Sequence, residues 1–171
     1  RRKLSINKNT PEALQVITAK ESLELFKQMD VMNEVELKAH KEVELGAYIF
    51  HIQIEGRVLG EMVYNHIIPA AVKYQNILLE NIHGLKEVYG AAHKKMGEVQ
   101  LNILEQIAEH IVEIKKLTDE MADARKRANG MSAVEKKAQA YCNNVKPYFD
   151  KIREHSDTLE KLIADELWPF T

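Results

Sequence analysis

The chain has 171 residues, 45% apolar and 29% charged, with a formal net charge of −2. A chain of that size can bury roughly 70% of the surface its unfolded form exposes, so a core needs neither disulfide nor metal. One cysteine, Cys142, excludes an internal disulfide framework and a cysteine-based zinc site, and interspersed charge without a basic face excludes an ordinary nucleic-acid binder.

Seven glycines and four prolines leave little punctuation for a strand-and-turn fold and favour long helices. Residues 1–32 read as an N-terminal linker with short helices. Thr10-Pro11-Glu12 is a helix start, with Thr10 as cap, and a helical region runs from there to about Met29, with a break near Thr18. Asn33-Glu34-Val35-Glu36 is a capping box that opens a long helix over 33–89. Pro69 lies inside it and removes a backbone donor, so a kink or break belongs near Pro69.

After Gly90 a second long helix spans 91–128. Leu104, Ile107, Ile111, Ile114, Thr118 and Met121 step by three and four along one face of it. Asn129-Gly130 ends it, and Ser132-Ala133-Val134-Glu135 has the spacing of a capping box for a last helix over 132–167. The turn between these helices is short, so they should pack antiparallel. Val134, Ala138, Tyr141, Val145, Tyr148, Ile152, His155, Leu159 and Leu162 repeat by fours and threes along the last helix, which Trp168-Pro169 ends. The fold expected is all-α: a single domain over 1–171, an elongated antiparallel bundle of about three long helices, the one over 33–89 kinked near Pro69, plus short N-terminal helices.

No segment of the chain spans a membrane on this reading. The longest apolar run, 67–72, is far too short, and no secretory segment follows Arg1-Arg2-Lys3. A lone cysteine fits a reducing, cytoplasmic setting. The chain begins without Met and stops at Trp168-Pro169-Phe170-Thr171, just after a helical pattern, which reads as a piece of a longer protein.

Histidines and carboxylates in a helical bundle raise the di-iron carboxylate site, which needs two Glu-x-x-His pairs and two further glutamates. Only Glu80 and His83 stand in that spacing, and a plain polar helix face accounts for them better. Cys142 sits beside the apolar stripe of the last helix, where a small half-buried residue is the default, and Arg125-Lys126-Arg127 are cations at the negative end of a helix. No phosphate loop or nucleophile elbow is present.

The unusual stretch runs from 52 to 86. Apolar residues lie on nearly every side of the helix and enclose Gln53, Arg57, Asn65 and His66. A helix apolar over that much of its circumference should be packed on more than one side, and its polar groups need partners. Two readings stand side by side: a central helix satisfied inside its own bundle, or a face made for another domain. On the second, Gln53, Arg57, Asn65 and His66 are the candidate interface.

The same stretch carries a family resemblance. Tyr48-Ile49-Phe50-His51-Ile52-Gln53-Ile54-Glu55-Gly56-Arg57 with Asn65-His66-Ile67-Ile68-Pro69, then Glu80-Asn81-Ile82-His83-Gly84-Leu85-Lys86, resembles the C-terminal domain of type III glutamine synthetases. So do Asn9-Thr10-Pro11-Glu12 before it, and Val145-Lys146-Pro147-Tyr148-Phe149 and Asp165-Glu166-Leu167-Trp168-Pro169 after it. The resemblance implies a parent enzyme that joins ammonia to glutamate with ATP and Mg or Mn. It also implies a catalytic domain outside this region as first partner, and a homo-oligomer. None of the family's catalytic motifs matches a position here, so the resemblance assigns no catalytic, cofactor or metal residue to this chain. It implies a structural, assembly or regulatory role. A stand-alone interaction module, resting on the heptad face of the last helix, and a metal-binding bundle enzyme, resting on Glu80 and His83, are the competing readings.

Overall fold

The computed structural model describes residues 6–170; the expectations for Arg1-Arg2-Lys3 and Thr171 lie outside them. Among the described residues every regular element is helical, as the composition predicts.

Helix α1 (Thr10–Ile17) is capped by Asn9 and not by Thr10: the Asn9 Oδ1 accepts the Glu12 N–H at 2.9 Å. The Glu12 carboxylate reaches back to the Lys8 N–H at 3.1 Å. This reciprocal pair satisfies donors that a helix start leaves open, and it uses Thr10 and Pro11 as the first helical residues. Thr18 closes α1, where the break is predicted, and α2 (Lys20–Gln28) follows.

Helix α3 (Glu34–Met62) opens on the predicted box. Asn33 Oδ1 accepts from the Val35 and Glu36 N–H groups at 2.9 and 3.0 Å, and Glu36 returns the bond to the Asn33 N–H at 2.8 Å. The bend expected near Pro69 takes a specific form. Pro69 has no N–H for the carbonyl four residues earlier, and its ring crowds that carbonyl. A five-residue π turn, Val63–Ile67, precedes it, in which the Ile68 N–H bonds to the Val63 carbonyl, and α4 (Ile68–Tyr89) continues beyond. Pro147 is met in the same way. A π turn at Tyr141–Val145, closed by a 2.9 Å bond from the Lys146 N–H to the Tyr141 carbonyl, comes before the proline.

The helix expected over 91–128 does not start at 91. Gly90, at φ +54°, caps α4, a short 3-10 turn covers Gly90–Ala92, and α5 (His93–Met96) ends at Gly97 before α6 (Glu98–Asn129) begins. Gly97 fits closely there: a Cβ would lie 3.2 Å from the Leu85 side chain and 3.3 Å from the His93 carbonyl, so a larger residue needs its neighbours to give by a few tenths of an ångström. The last helix also differs from 132–167. It starts as α7 (Val134–Ala140) with Ala133 at the cap and no side-chain cap bond, and the Glu135 carboxylate pairs with Lys41. It ends as α8 (Pro147–Leu162), five residues short of the predicted end, and a 3-10 turn at Asp165–Leu167 follows.

The described chain divides into two compact units. The first takes residues up to Gly56 together with Asp123–Pro147; its buried residues include Leu37, Leu45, Ile49, Ile52, Ala128, Ala138, Tyr141 and Val145. The second takes Arg57–Ala122 and the chain from Tyr148 onward, with Val63, Ile67, Leu78, Ile107, Ile114, Ile152 and Leu159 buried. The stripe predicted on the last helix is buried or half-buried at all its positions from Val134 to Leu162.

Candidate interface and its polar clusters

In the first unit a lysine is nearly enclosed. Lys41, 7% exposed, leaves α3 between α1 and α7. Its ammonium donates to Gln15 Oε1 at 2.8 Å and to Thr18 Oγ1 at 3.3 Å, and it pairs with the Glu135 carboxylate. Three donors therefore meet three acceptors on two neighbouring helices and the α1 cap residue, which is how a buried cation is tolerated.

Tyr141 is fully buried in the second π turn, and its hydroxyl donates to Asn129 Oδ1 at 2.8 Å. Burial raises its ionisation above the usual tyrosine value, opposed by the Arg125 charge. The buried Tyr48 hydroxyl makes no regular hydrogen bond; its polar neighbour is the half-buried Cys142 thiol. Burial first, then that contact and the Glu55 charge, hold Tyr48 neutral far above its ordinary range. Cys142 thus fills space against a phenol.

In the second unit the polar groups lie nearer solvent. Tyr64 donates to the Asp119 carboxylate, which also receives the Lys115 ammonium at 2.8 Å, and the Asp119 bond is the main cause raising the Tyr64 ionisation. The half-buried His110 and His155 meet Nδ1 to Nδ1 at 2.8 Å, so one ring donates and the other accepts. Their ring centroids stand 5.1 Å apart, a head-on hydrogen-bond arrangement. His155 sits in the predicted apolar stripe, and a polar ring in a core stripe was the signal that it needed a partner.

The candidate interface residues fall as follows. Arg57, Asn65 and His66 are exposed and Gln53 is half-buried. His66 meets the Phe170 ring edge-on at 5.6 Å. Ile52, Val63, Ile67, Leu78 and Ile82 are buried, whereas Ile54, Val58, Tyr64, Val72, Ile77 and Leu79 remain 41–48% exposed. Glu80 and His83 are both exposed, and among the described residues no group of three or more His, Cys, Asp or Glu side chains could hold a metal ion. No helix of the described residues is long and apolar enough to cross a membrane.

Comparison with known proteins places these features. A family model described as the glutamine synthetase C-terminal domain matches residues 1–86. The chain is 41% identical over 162 residues to a glutamine synthetase of Bacteroides fragilis (strain YCH46), a match covering 94% of this chain and 22% of that protein. It is 24% identical over 163 residues to a type-3 glutamine synthetase of Dictyostelium discoideum, with 94% and 22% covered. A glutamine synthetase of Butyrivibrio fibrisolvens is 24% identical over 159 residues, with 93% and 22% covered. The chain spans about a fifth of the length of the curated relatives it matches.

Proposed function

The chain belongs to the glutamine synthetase C-terminal domain family, and from that premise we propose that it is a non-catalytic domain of a longer, cytoplasmic glutamine synthetase. The parent joins ammonia to glutamate with ATP and Mg or Mn bound elsewhere in the chain. This domain holds neither and serves structure, assembly or regulation. Its first partner is the catalytic domain of the same parent, and copies of the parent associate as a homo-oligomer. Arg57, Asn65 and His66 of the second unit supply polar contacts for docking, with the half-open Val58 and Tyr64 beside them as apolar area, and Gln53 of the first unit is a candidate contact of its own.

One observation carries the reading: matches to glutamine synthetases cover nearly all of this chain while it covers about a fifth of theirs. The open residues around Arg57 and His66 support it, since exposed apolar side chains grouped together and rimmed by polar ones mark interaction surfaces. The competing interaction-module reading used the heptad face of the last helix. That stripe is buried or half-buried by the chain itself. The test is an assay of the chain alone with glutamate, ammonia and ATP-Mg²⁺. No glutamine above blank is expected; sustained turnover would overturn a non-catalytic role.

A further inference from the structure

One polar contact of the second unit lies outside the residues proposed for docking. His110 of α6 and His155 of α8 point the same ring nitrogen at each other, Nδ1 to Nδ1 at 2.8 Å, with the ring planes inclined by 59°. Both residues are half-buried. Packing sets their separation. One turn before and one turn after His110, Ile107 and Ile114 are wholly buried, and Ile152 and Leu159 stand in the same relation to His155. Each ring therefore projects from a helix face that core residues fix on both sides. Among the described residues neither ring makes another hydrogen bond, so the protein engages neither Nε2.

Two imidazoles that bring one nitrogen each to a common point are a donor set as well as a hydrogen-bonded pair. Zinc binds imidazole nitrogen at about 2.0–2.1 Å, so two nitrogens on one tetrahedral ion stand about 3.3 Å apart. The 2.8 Å pair is about 0.5 Å closer than that, a gap that small rotations of the two rings supply. The ion then sits beside the line joining the nitrogens. Imidazole suits Zn²⁺, Ni²⁺ and Cu²⁺, whereas Mg²⁺ and Ca²⁺ ask for oxygen ligands. Among the described residues no third His, Cys, Asp or Glu side chain completes the group. Water takes the remaining positions, and the site stays open.

We propose that His110 and His155 form a two-histidine site for a late first-row divalent ion, with Zn²⁺ as the reference case, and that the ion clips α6 to α8. With both rings neutral the protons balance. In the hydrogen-bonded pair one ring carries its proton on Nδ1 and the other carries it on Nε2. Binding moves the one shared proton from Nδ1 to Nε2 of the same ring through solvent. Both Nδ1 lone pairs then go to the ion, and no proton is released. A clip of this kind stabilises the folded chain in proportion to its occupancy. The inference goes beyond the proposed function and does not rest on it. It uses none of Gln53, Arg57, Asn65 and His66, and no ion of the parent's reaction, so either proposal can fail without the other.

The experiment titrates the chelator-treated 171-residue chain with ZnCl₂ and reads the histidine rings by long-range ¹H–¹⁵N spectra. Two of the seven histidines are expected to shift together, with the change at Nδ1, and to saturate at one Zn²⁺ per chain. Excess Mg²⁺ should move neither. This arm needs no variant. In calorimetry H110Q and H155Q should each weaken Zn²⁺ binding about tenfold or more, since one imidazole remains, while H83A should bind as wild type does. The unfolding temperature of wild type should rise with Zn²⁺ concentration, and that of H110Q should stay level. No ring shift at a severalfold excess of Zn²⁺ overturns the proposal and leaves a hydrogen-bonded pair alone. So do shifts at Nε2 or scattered over the exposed histidines, and so does binding undiminished in both glutamine variants.

Discussion

The first unit encloses and pairs two polar groups, Lys41 and Tyr141; the second leaves several of its own open to solvent. Lys41 is enclosed by Gln15, Thr18 and Glu135, and Tyr141 by its bond to Asn129. In the second unit Arg57, Asn65 and His66 are open, as are Glu105, Glu109, Lys94 and Lys95. The contrast separates two uses of polarity in one helical chain. Buried polar groups that are fully bonded fix which helices meet, and they cost much when only one partner is removed. Open polar groups set among apolar residues add little to the chain's own stability and suit contact with another surface.

The largest effect should come from emptying the first unit's core. Tyr141→Ala removes a fully buried ring, and about 3–5 kcal/mol of unfolding free energy should be lost, measured by urea denaturation. Next is Glu135→Ala, which leaves the Lys41 ammonium short of its anion. Because Glu135 is itself half open to water, about 1–2 kcal/mol is expected, less than for a fully buried pair. Lys41→Met should cost less than Glu135→Ala, since it removes the charge together with the need for a partner. A larger loss for Lys41→Met would break the account of the clamp.

Tyr141→Phe is smaller, about 1 kcal/mol for one hydrogen bond. It also carries a pH signature. The folded-state ionisation of Tyr141 is raised above the unfolded value near 10, so its contribution is whole below that pH and is lost as pH rises through the folded value. Tyr141→Phe should flatten the alkaline limb of the stability profile. The smallest effects belong to Arg57→Ala and His66→Ala, each within about 0.5 kcal/mol in the isolated chain. A substantial loss at either would move it from the open class to the structural one.

The all-α fold was legible in the sequence because every cue agreed: few glycines and prolines, stripes at helical spacing, and the Asn33 capping box. Boundaries were less so, for local reasons. Ser132 has the right spacing for a cap, yet Ala133 stands at it, and Glu135 pairs with Lys41, almost a hundred residues away in the chain. Thr10 and Asn9 are both cap formers, and Pro11 fits after either. Pro69 announced a disturbance, but not its form as a π turn placed before it, a form that Pro147 shares. Of the candidate interface, residue types were readable and exposure was not. Which side of an all-round apolar helix the chain covers depends on contacts that no periodicity encodes. The His110–His155 and Tyr64–Asp119 pairs join residues 45 and 55 positions apart, so which residue partners which could not be read, even where His155 in the apolar stripe signalled a need for one.

The most direct test of the docking face is side-chain footprinting of His66 and Tyr64, in this chain alone and in the full-length glutamine synthetase that contains it. If the face docks on the catalytic domain, both should react readily in the isolated chain and severalfold more slowly in the parent. Lys20, far from the face in sequence and open here, serves as a reference. Equal reactivity of His66 and Tyr64 in the two settings would contradict the account.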